Sequence, residues 1–235
     1  MSTGQPSSPA RPAVVFVTAH PDDVAFFMGG TALLLRDRYQ LHVIVATRGE
    51  RGRGAPSEEL AAIRESEERE ACRMLGAPVT FLGLADGAIY AEREAVERVA
   101  AMLREIRPVA LFTHGPQAKP DHAAVYLLAL QALERAKLFW ETEMYMPLQD
   151  GETRHGRYAD LYVNVTAVID EKRALVACHR SHHKDAGSVE HIIAHDVLMG
   201  KLCLCDYAEA YMTGLPLVAR RWGRKAGSIL MELDR

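Results

Sequence analysis

The chain has 235 residues, of which 49% are hydrophobic and 25% are charged, and its formal net charge is −3. This length and composition suit one globular domain with a sizeable core, so a second domain is not needed. The slightly negative charge argues against general electrostatic binding to nucleic acid or to anionic membranes. Composition therefore predicts an ordinary globular protein and selects no partner.

The N-terminal segment and the cysteines bear on the compartment. The first dozen residues lack the apolar stretch of a signal peptide, and no later segment has the length of a membrane span. We therefore expect a cytoplasmic protein with a disordered tail over residues 1–12 and one domain over residues 13–235. The four cysteines form no CxxC pair. Cys203 and Cys205 could help bind a metal, but buried thiols are the favoured interpretation.

Strand-like and helix-like segments alternate through the first half of the chain. In chain order they are a strand over 14–19, a helix over 22–36, a strand over 41–47, a helix over 57–75, a strand over 79–84, a helix over 91–106, a strand over 109–113 and a helix over 121–136. This alternation is typical of βαβ crossovers. It predicts an α/β fold with a mostly parallel central sheet flanked by helices.

The second half of the chain is less regular. Extended segments over 144–148 and 161–165 and helices over 168–179 and 188–204 are predicted there. No linker separates this half as a domain of its own. Between the second strand and the second helix, the glycine- and arginine-rich segment 48–54 predicts a mobile loop at the lip of a site.

Polar side chains follow the first strand directly, in the order His20, Pro21, Asp22, Asp23. In an open α/β sheet, ligands gather at the carboxyl ends of the strands, so these residues form a candidate metal site. A hydrolytic metal ion needs a few protein ligands, an open position for water and a nearby base. One of the two aspartates can bind the metal while the other faces the water. The most plausible distant ligand is His122, which also follows a predicted strand.

Several short motifs, in this order along the chain, resemble the LmbE-like or PIG-L deacetylase family. They are Ala19-His20-Pro21-Asp22-Asp23, Gly29-Gly30-Thr31, Thr47-Arg48-Gly49-Glu50, Leu60-Ala61-Ala62-Ile63-Arg64-Glu65, Leu82-Gly83-Leu84-Ala85-Asp86-Gly87, Pro120-Asp121-His122-Ala123-Ala124-Val125, His179-Arg180-Ser181 and Tyr207-Ala208-Glu209-Ala210-Tyr211. The resemblance covers most of the chain. It implies a single Rossmann-like domain and zinc-dependent hydrolysis of N-acyl groups, usually acetyl on a 2-amino sugar or its conjugates.

The resemblance also implies roles for individual residues. His20, Asp23 and His122 would hold Zn²⁺, and Asp22 would be the general base that activates the zinc-bound water. The same residues are candidates from their chemistry alone. Because mixed histidine and carboxylate ligands also suit other divalent transition metals, the identity of the metal stays open.

Two positions depart from the family pattern. Val24 stands where a glutamate is usual, so a carboxylate that could orient a metal ligand is missing. Lys119 stands three residues before His122, where the family often has a histidine that stabilises the oxyanion. The ammonium of Lys119 could supply the same positive charge, His114 or His182 could do so instead, or Lys119 could simply point into solvent.

The resemblance places four further residues at the substrate: Glu50, Arg64, Asp86 and His179. For Arg64 the alternative is an exposed salt bridge along its own helix, and for Asp86 it is a turn. The histidines of the region after residue 178 could form a second metal site, although a polar helix face or a pocket wall is favoured. These histidines are His179, His182, His183, His191 and His195.

The sequence thus predicts a single-domain α/β metallohydrolase that removes an acyl group, most plausibly acetyl, from an aminosugar-containing small molecule. A phosphate-binding GxGxxG motif is absent after the first strand, which disfavours dinucleotide binding. Two different functions stay open: an amidase acting on a thiol–sugar conjugate, and a catalytically silent sugar-binding protein of the same fold. A homo-oligomer is possible.

Overall fold

The alternating pattern of the sequence folds into one sheet with helices on both sides. A computed structural model describes residues 11–52, 54–117, 119–149, 158–182, 186–213 and 228–233. The strands are β1 (Ala13–Thr18), β2 (Gln40–Val45), β3 (Val79–Phe81), β4 (Ala110–Thr113), β5 (Glu143–Pro147), β6 (Leu161–Asn164) and β7 (Ala208–Thr213). The helices are α1 (Asp23–Leu35), α2 (Glu58–Leu75), α3 (Arg93–Ile106), α4 (Pro120–Ala136), α5 (Ile169–Ala177) and α6 (Ala186–Cys203). Short 3₁₀ turns cover Thr166–Val168 and Ile229–Glu232.

The strand order determines where a site can form. The described strands lie in the order β3-β2-β1-β4-β5-β7-β6, and the first five of these run parallel. β7 is antiparallel to both β5 and β6. The chain winds outward from β1 to β2 and β3, and then crosses back to β4 on the other side of β1. This reversal opens a crevice at the carboxyl ends of β1 and β4. The predicted mixed α/β fold with a mostly parallel sheet is confirmed.

The two faces of the sheet bury separate cores, because side chains alternate along each strand. Val14 and Phe16 of β1 face the core that is covered by α1, α2 and α5. Val15 and Val17 face the core that is covered by α3 and α4. Both faces of β1 are therefore buried, which explains why its sequence is continuously apolar.

Strand β7 was not predicted, since a glutamate interrupts its apolar pattern. Glu209 is buried and accepts hydrogen bonds from the backbone N–H groups of Gly30 and Thr31 in α1, at 2.7 and 2.9 Å. Its carboxylate also pairs with the buried ammonium of Lys172 at 2.7 Å. Burial alone would raise the pKa of Glu209, but Lys172 lowers it below its usual value. This ion pair ties the second half of the chain to α1.

Two further predictions are affected by the structure. The first helix begins at Asp23 instead of Asp22, because Asp22 has a φ of 111° and lies outside the helical region. Most of the predicted tail over residues 1–12 lies outside the described residues, so its disorder stays a prediction. Within the described segments, no helix is both long and apolar enough to cross a bilayer.

Candidate metal and catalytic site

Asp23 is the anchor of the candidate site, at the point where β1 passes into α1. Its side chain is only about 3% exposed. Its Oδ2 accepts hydrogen bonds from the backbone N–H groups of Ala19 and His20, at 3.1 and 2.8 Å. Asp22 has an unusual φ of 111°, and its carboxylate contacts Arg64 instead of the backbone N–H groups that hold Asp23. Asp22 and Asp23 can therefore take different roles.

The predicted ligands lie together. His20, Asp23 and His122 each offer a ligand atom, and these atoms are all within 4.8 Å of one another. His122 Nε2 is 3.5 Å from Asp23 Oδ1, and His20 Nδ1 is 3.8 Å from Asp23 Oδ2. Two imidazoles and one carboxylate are a donor set that suits Zn²⁺ and related divalent metals. The residues present therefore fit the metal that the resemblance implies.

The two histidines differ in their protonation. Burial lowers the pKa of His122 to about 3, so its imidazole is neutral and ready to bind a metal. Burial would also lower the pKa of His20, but the carboxylates of Asp121 and Asp86 outweigh it and raise this pKa to about 10. Without a metal, His20 is therefore a cation among carboxylates, and it must lose a proton when a metal binds.

His114 and Gln149 contact two of the predicted ligands, Asp23 and His122. His114 Nε2 lies 3.0 Å from Asp23 Oδ2, and its Nδ1 lies 3.0 Å from the amide nitrogen of Gln149. The amide oxygen of Gln149 lies 3.2 Å from His122 Nδ1. Because His114 is fully buried and both of its ring nitrogens are engaged with Asp23 and Gln149, it does not suit stabilisation of the oxyanion. Sequence reasoning missed Gln149, whose only signal is its place just after β5.

Arg64 holds Asp22 in place. Its Nη2 donates to Asp22 Oδ2 and to the carbonyl of Pro21, both at 2.7 Å, and its Nη1 donates to the carbonyl of Gly49 at 3.1 Å. Arg64 is buried, so the alternative of an exposed helix salt bridge is wrong. Its hydrogen-bonding capacity is largely used within the protein. The geometry therefore favours a positioning role over direct capture of substrate.

His182 and Arg64 together tune the carboxylate of Asp22. Nδ1 of His182 lies 3.2 Å from Asp22 Oδ2, and its ring meets the ring of Phe26 edge-on at 5.0 Å. Burial alone would raise the pKa of Asp22, but His182 and Arg64 lower it. Asp22 is therefore ionised and can accept a proton. His182 is more exposed than Asp22, with 38% of its side chain accessible, so it lies on the open side of this carboxylate.

Glu68 is a buried group that the sequence did not single out. Its Oε2 accepts the backbone N–H of Asp22 at 2.9 Å and lies 3.8 Å from Nε2 of His179. Burial, together with the charge of Asp22, raises the pKa of Glu68 to about 7. His179 is itself buried, in edge-on contact with Phe26. His179, a predicted substrate contact, is thus buried next to Glu68, the residue that accepts the backbone N–H of Asp22.

Asp86 and Glu50 lie on the opposite side of His20. Asp86 Oδ1 is 3.3 Å from His20 Nε2, while its Oδ2 accepts the backbone N–H of Arg51 at 2.9 Å. Glu50 Oε1 accepts the backbone N–H of Asp86 at 2.8 Å. Only 8% of the Asp86 side chain is exposed and Oε2 of Glu50 is buried, so these two predicted substrate contacts present little carboxylate surface beside the predicted ligand His20.

The two positions that depart from the family pattern have different surroundings. Val24 is buried in the core under α1, so the missing glutamate is replaced by an apolar contact. Lys119 is exposed, but its Nζ lies over the ring of Phe27 at 5.8 Å from the centroid. The same ring contacts that of His122. Lys119 is therefore held near His122, a predicted metal ligand, by way of the Phe27 ring.

The other predicted metal ligands do not come together in the described part of the chain. Apart from the site above, the only group of three possible ligands found there is His20 with Asp86 and Asp121. No such group contains His191 or His195, and His183 lies outside the described residues. The thiols of Cys203 and Cys205 lie 3.4 Å apart and are partly exposed, which differs from the buried state expected for them.

A family profile described as PIG-L, GlcNAc-PI de-N-acetylase, matches residues 15–133. The chain belongs to the PIG-L family. It is 28% identical to a probable N-acetyl-alpha-D-glucosaminyl L-malate deacetylase 2 of Bacillus cereus, over 72% of this chain and 82% of that protein. It is 27% identical to a 4-oxalmesaconate hydratase of Pseudomonas putida, over 73% of this chain and 74% of that protein.

The fold of this PIG-L family member is also found in solved structures. The N,N'-diacetylchitobiose deacetylase of Pyrococcus horikoshii superposes with a TM-score of 0.74 at 22% identity, over 86% of this chain and 83% of that one. This likeness supports the fold. The family description and the Bacillus cereus relative both name removal of an acetyl group from a sugar compound, which is a hydrolysis and agrees with the predicted class of enzyme.

Glu68 yields a prediction about stability. Because its folded-state pKa is raised, the folded protein loses stability relative to the unfolded chain as pH rises from about 4.5 to about 7. Glu68→Gln retains an acceptor for Asp22 and carries no charge. In chelator-treated protein we expect the variant to match the wild type near pH 5 and to exceed it by on the order of 2 kcal/mol above about pH 8.

Urea unfolding at the two pH values measures this difference. Glu59→Gln is the matched control, since it removes a charge from the exposed face of the same helix. An advantage of Glu68→Gln that is equal at both pH values would contradict the raised pKa.

Proposed function

We propose that this PIG-L family member is a zinc-dependent N-deacetylase that acts in the cytoplasm on a small molecule containing an acetylated aminosugar. One observation carries the proposal: three potential metal ligands, His20, Asp23 and His122, lie beside a carboxylate, Asp22, that is outside the ligand set. A hydrolase that uses a metal needs both parts. The deacetylase relatives supply the class of substrate.

Each part of the site has an assigned role in amide hydrolysis. His20, Asp23 and His122 would hold the metal. When bound, Zn²⁺ supplies a water molecule of lowered pKa and polarises the amide carbonyl. Asp22 accepts a proton from the attacking water and returns it to the amine as the C–N bond breaks. Arg64 keeps Asp22 ionised and oriented for the first of these transfers.

The developing oxyanion needs a positive group. We assign this role to Lys119, whose ammonium is held by the ring of Phe27 on the His122 side of the site. His182 lies on the other side, next to Asp22, where it suits transfer of a proton to or from that carboxylate. Glu50 and Asp86, which the family resemblance implies as substrate contacts, remain the proposed partners of sugar hydroxyl groups next to His20.

A second candidate reaction is the addition of water to the double bond of an unsaturated carboxylate. The Pseudomonas putida relative is named for such a reaction. One observation favours it here: the position three residues before His122 holds Lys119, whose ammonium can pair with a carboxylate. The two alternatives from the sequence make different demands on the site. Amide cleavage in a thiol–sugar conjugate would use the same residues as deacetylation. Sugar binding without turnover would not need Asp22 as a base.

The assignment of Asp22 is tested by Asp22→Asn. We expect turnover of N-acetylglucosamine conjugates to fall by at least about 100-fold, because the base is lost, while about one zinc per chain is retained. His20→Ala is the contrasting variant, and it should lose the metal as well. Free amine release and elemental mass spectrometry measure the two properties. Normal turnover by Asp22→Asn would refute the assignment, and absence of metal in wild type would refute the proposed function.

The role of Lys119 is tested by Lys119→Met. We expect kcat for deacetylation to fall roughly 10- to 100-fold, because a charge facing the oxyanion is lost. Lys201→Met, on the exposed face of α6, is the matched control. Both variants are assayed on an N-acetyl aminosugar and on an unsaturated oxo-carboxylate. Wild-type turnover of the second compound alone would establish the hydratase candidate, and an unchanged kcat in Lys119→Met would remove Lys119 from the mechanism.

A further inference from the structure

Nε2 of His20 faces two carboxylates, Asp86 and Asp121, and Asp121 has no role in the proposed function. Nε2 lies 3.2 Å from Asp121 Oδ2 and 3.3 Å from Asp86 Oδ1. The other nitrogen, Nδ1, is on the side of Asp23. The imidazole therefore lies between the proposed metal ligands and a separate acidic pair.

Asp121 is fixed by the protein backbone. Its Oδ2 accepts the N–H of Gly87 at 2.7 Å, and its Oδ1 accepts the N–H of Ile89 at 3.3 Å. Asp86 is held in a similar way, because its Oδ2 accepts the N–H of Arg51. Carboxylates that already accept backbone N–H groups are oriented to receive one more donor.

We propose that Asp121, assisted by Asp86, is a positioning residue that holds the His20 ring in one orientation and keeps the proton on Nε2. The lone pair of Nδ1 is then directed toward the metal. This inference rests on the proposed function, since it assumes that His20 is a ligand. Histidine ligands commonly donate their second N–H to a carboxylate in this way, and loss of the partner weakens metal binding.

This role has a consequence for how the site is built. Asp121 immediately precedes His122 at the start of α4. The segment after β4 thus supplies one ligand itself and orients the ligand that follows β1. The backbone contacts of Asp121 with Gly87 and Ile89 also attach the loop after β3 to the same point.

Asp121→Asn tests the proposal in the full-length protein. The asparagine amide can donate to Nε2, which favours the ring form with its proton on Nδ1, and this form cannot bind metal through Nδ1. We expect the zinc Kd, measured by competition with a chromogenic chelator and without substrate, to rise about 10- to 100-fold. Asp121→Glu should recover part of the affinity. Asp170→Asn, an exposed charge on α5, should have no effect.

Three further readings separate the possible outcomes. Nitrogen-detected NMR of the zinc-loaded wild type should place the His20 proton on Nε2, and thermal unfolding should show that Asp121→Asn remains folded.

Wild-type zinc affinity in Asp121→Asn would overturn the proposal and leave the proposed function intact, provided that His20→Ala still loses the metal. If the wild type binds a second zinc and Asp121→Asn removes only that second zinc, Asp121 is a metal ligand, and this result would also overturn the proposal. A wild type that binds no zinc would overturn both.

A second, independent observation concerns the turn between α6 and β7. Cys203 Sγ and Cys205 Sγ lie 3.4 Å apart and are both partly exposed. Leu204 between them has a φ of 64° and is 96% exposed, so the turn brings both thiols to the same side. The N–H of Cys205 donates to the carbonyl of Gly200 at 3.0 Å, which holds the turn closed.

We infer that Cys203 and Cys205 form a reversible disulfide with a low-molecular-weight disulfide as oxidant. The thiolate of one cysteine attacks the oxidant, forms a mixed disulfide and releases one small thiol. The thiolate of the other cysteine then attacks the protein sulfur and releases the second small thiol. Two protein thiols are thus oxidised while one small disulfide is reduced to two thiols.

Mass spectrometry of the full-length protein after treatment with oxidised glutathione tests this inference. The wild-type peptide should lose the mass of two hydrogen atoms and regain it with dithiothreitol. Cys203→Ser and Cys205→Ser should each stop at a stable glutathione adduct, whereas Cys72→Ser, a buried control, should behave as wild type. A persistent adduct on the wild type, or disulfide-linked dimers on a non-reducing gel, would overturn the inference.

Discussion

The site depends on the burial of one carboxylate, Asp23, at the end of β1. A buried carboxylate is costly unless hydrogen bonds replace its water. Here the backbone N–H groups of Ala19 and His20 and the ring of His114 surround Oδ2. The first two contacts shape the turn after β1, and the third joins it to the end of β4. The same contacts thus close the fold and bring the two strand ends together to form the site.

The neighbouring carboxylate has the opposite surroundings. Asp22 is held by Arg64 on one side and by the more exposed His182 on the other. Its left-handed backbone would be strained at most positions, and the buried contacts of Arg64 with Pro21 and Asp22 help to maintain it. Two adjacent aspartates therefore differ in environment, which is what separate roles as ligand and base require.

The irregular second half of the chain contributes support as well as residues at the site. The ion pair of Lys172 and Glu209 binds α5 and β7 to α1, while Gln149, just after β5, connects His114 and His122. Removing one partner of such an ion pair leaves an unpaired buried charge, so a single substitution at either position destabilises the fold. The contacts that hold the candidate site in shape thus extend well beyond the predicted metal ligands.

The sequence by itself determined the alternation of strands and helices and the cluster after β1, because apolar period and strand-end position are local signals. It also indicated His122, through its matching place after β4. It could not determine that Arg64 is buried, that His179 lies behind Asp22, or that Gln149 and Glu68 belong to the site. It also missed β7, whose Glu209 reads as polar until Lys172 is placed beside it. These properties depend on contacts between residues far apart in the chain, and only the tertiary structure decides which polar groups are buried together and with which partners.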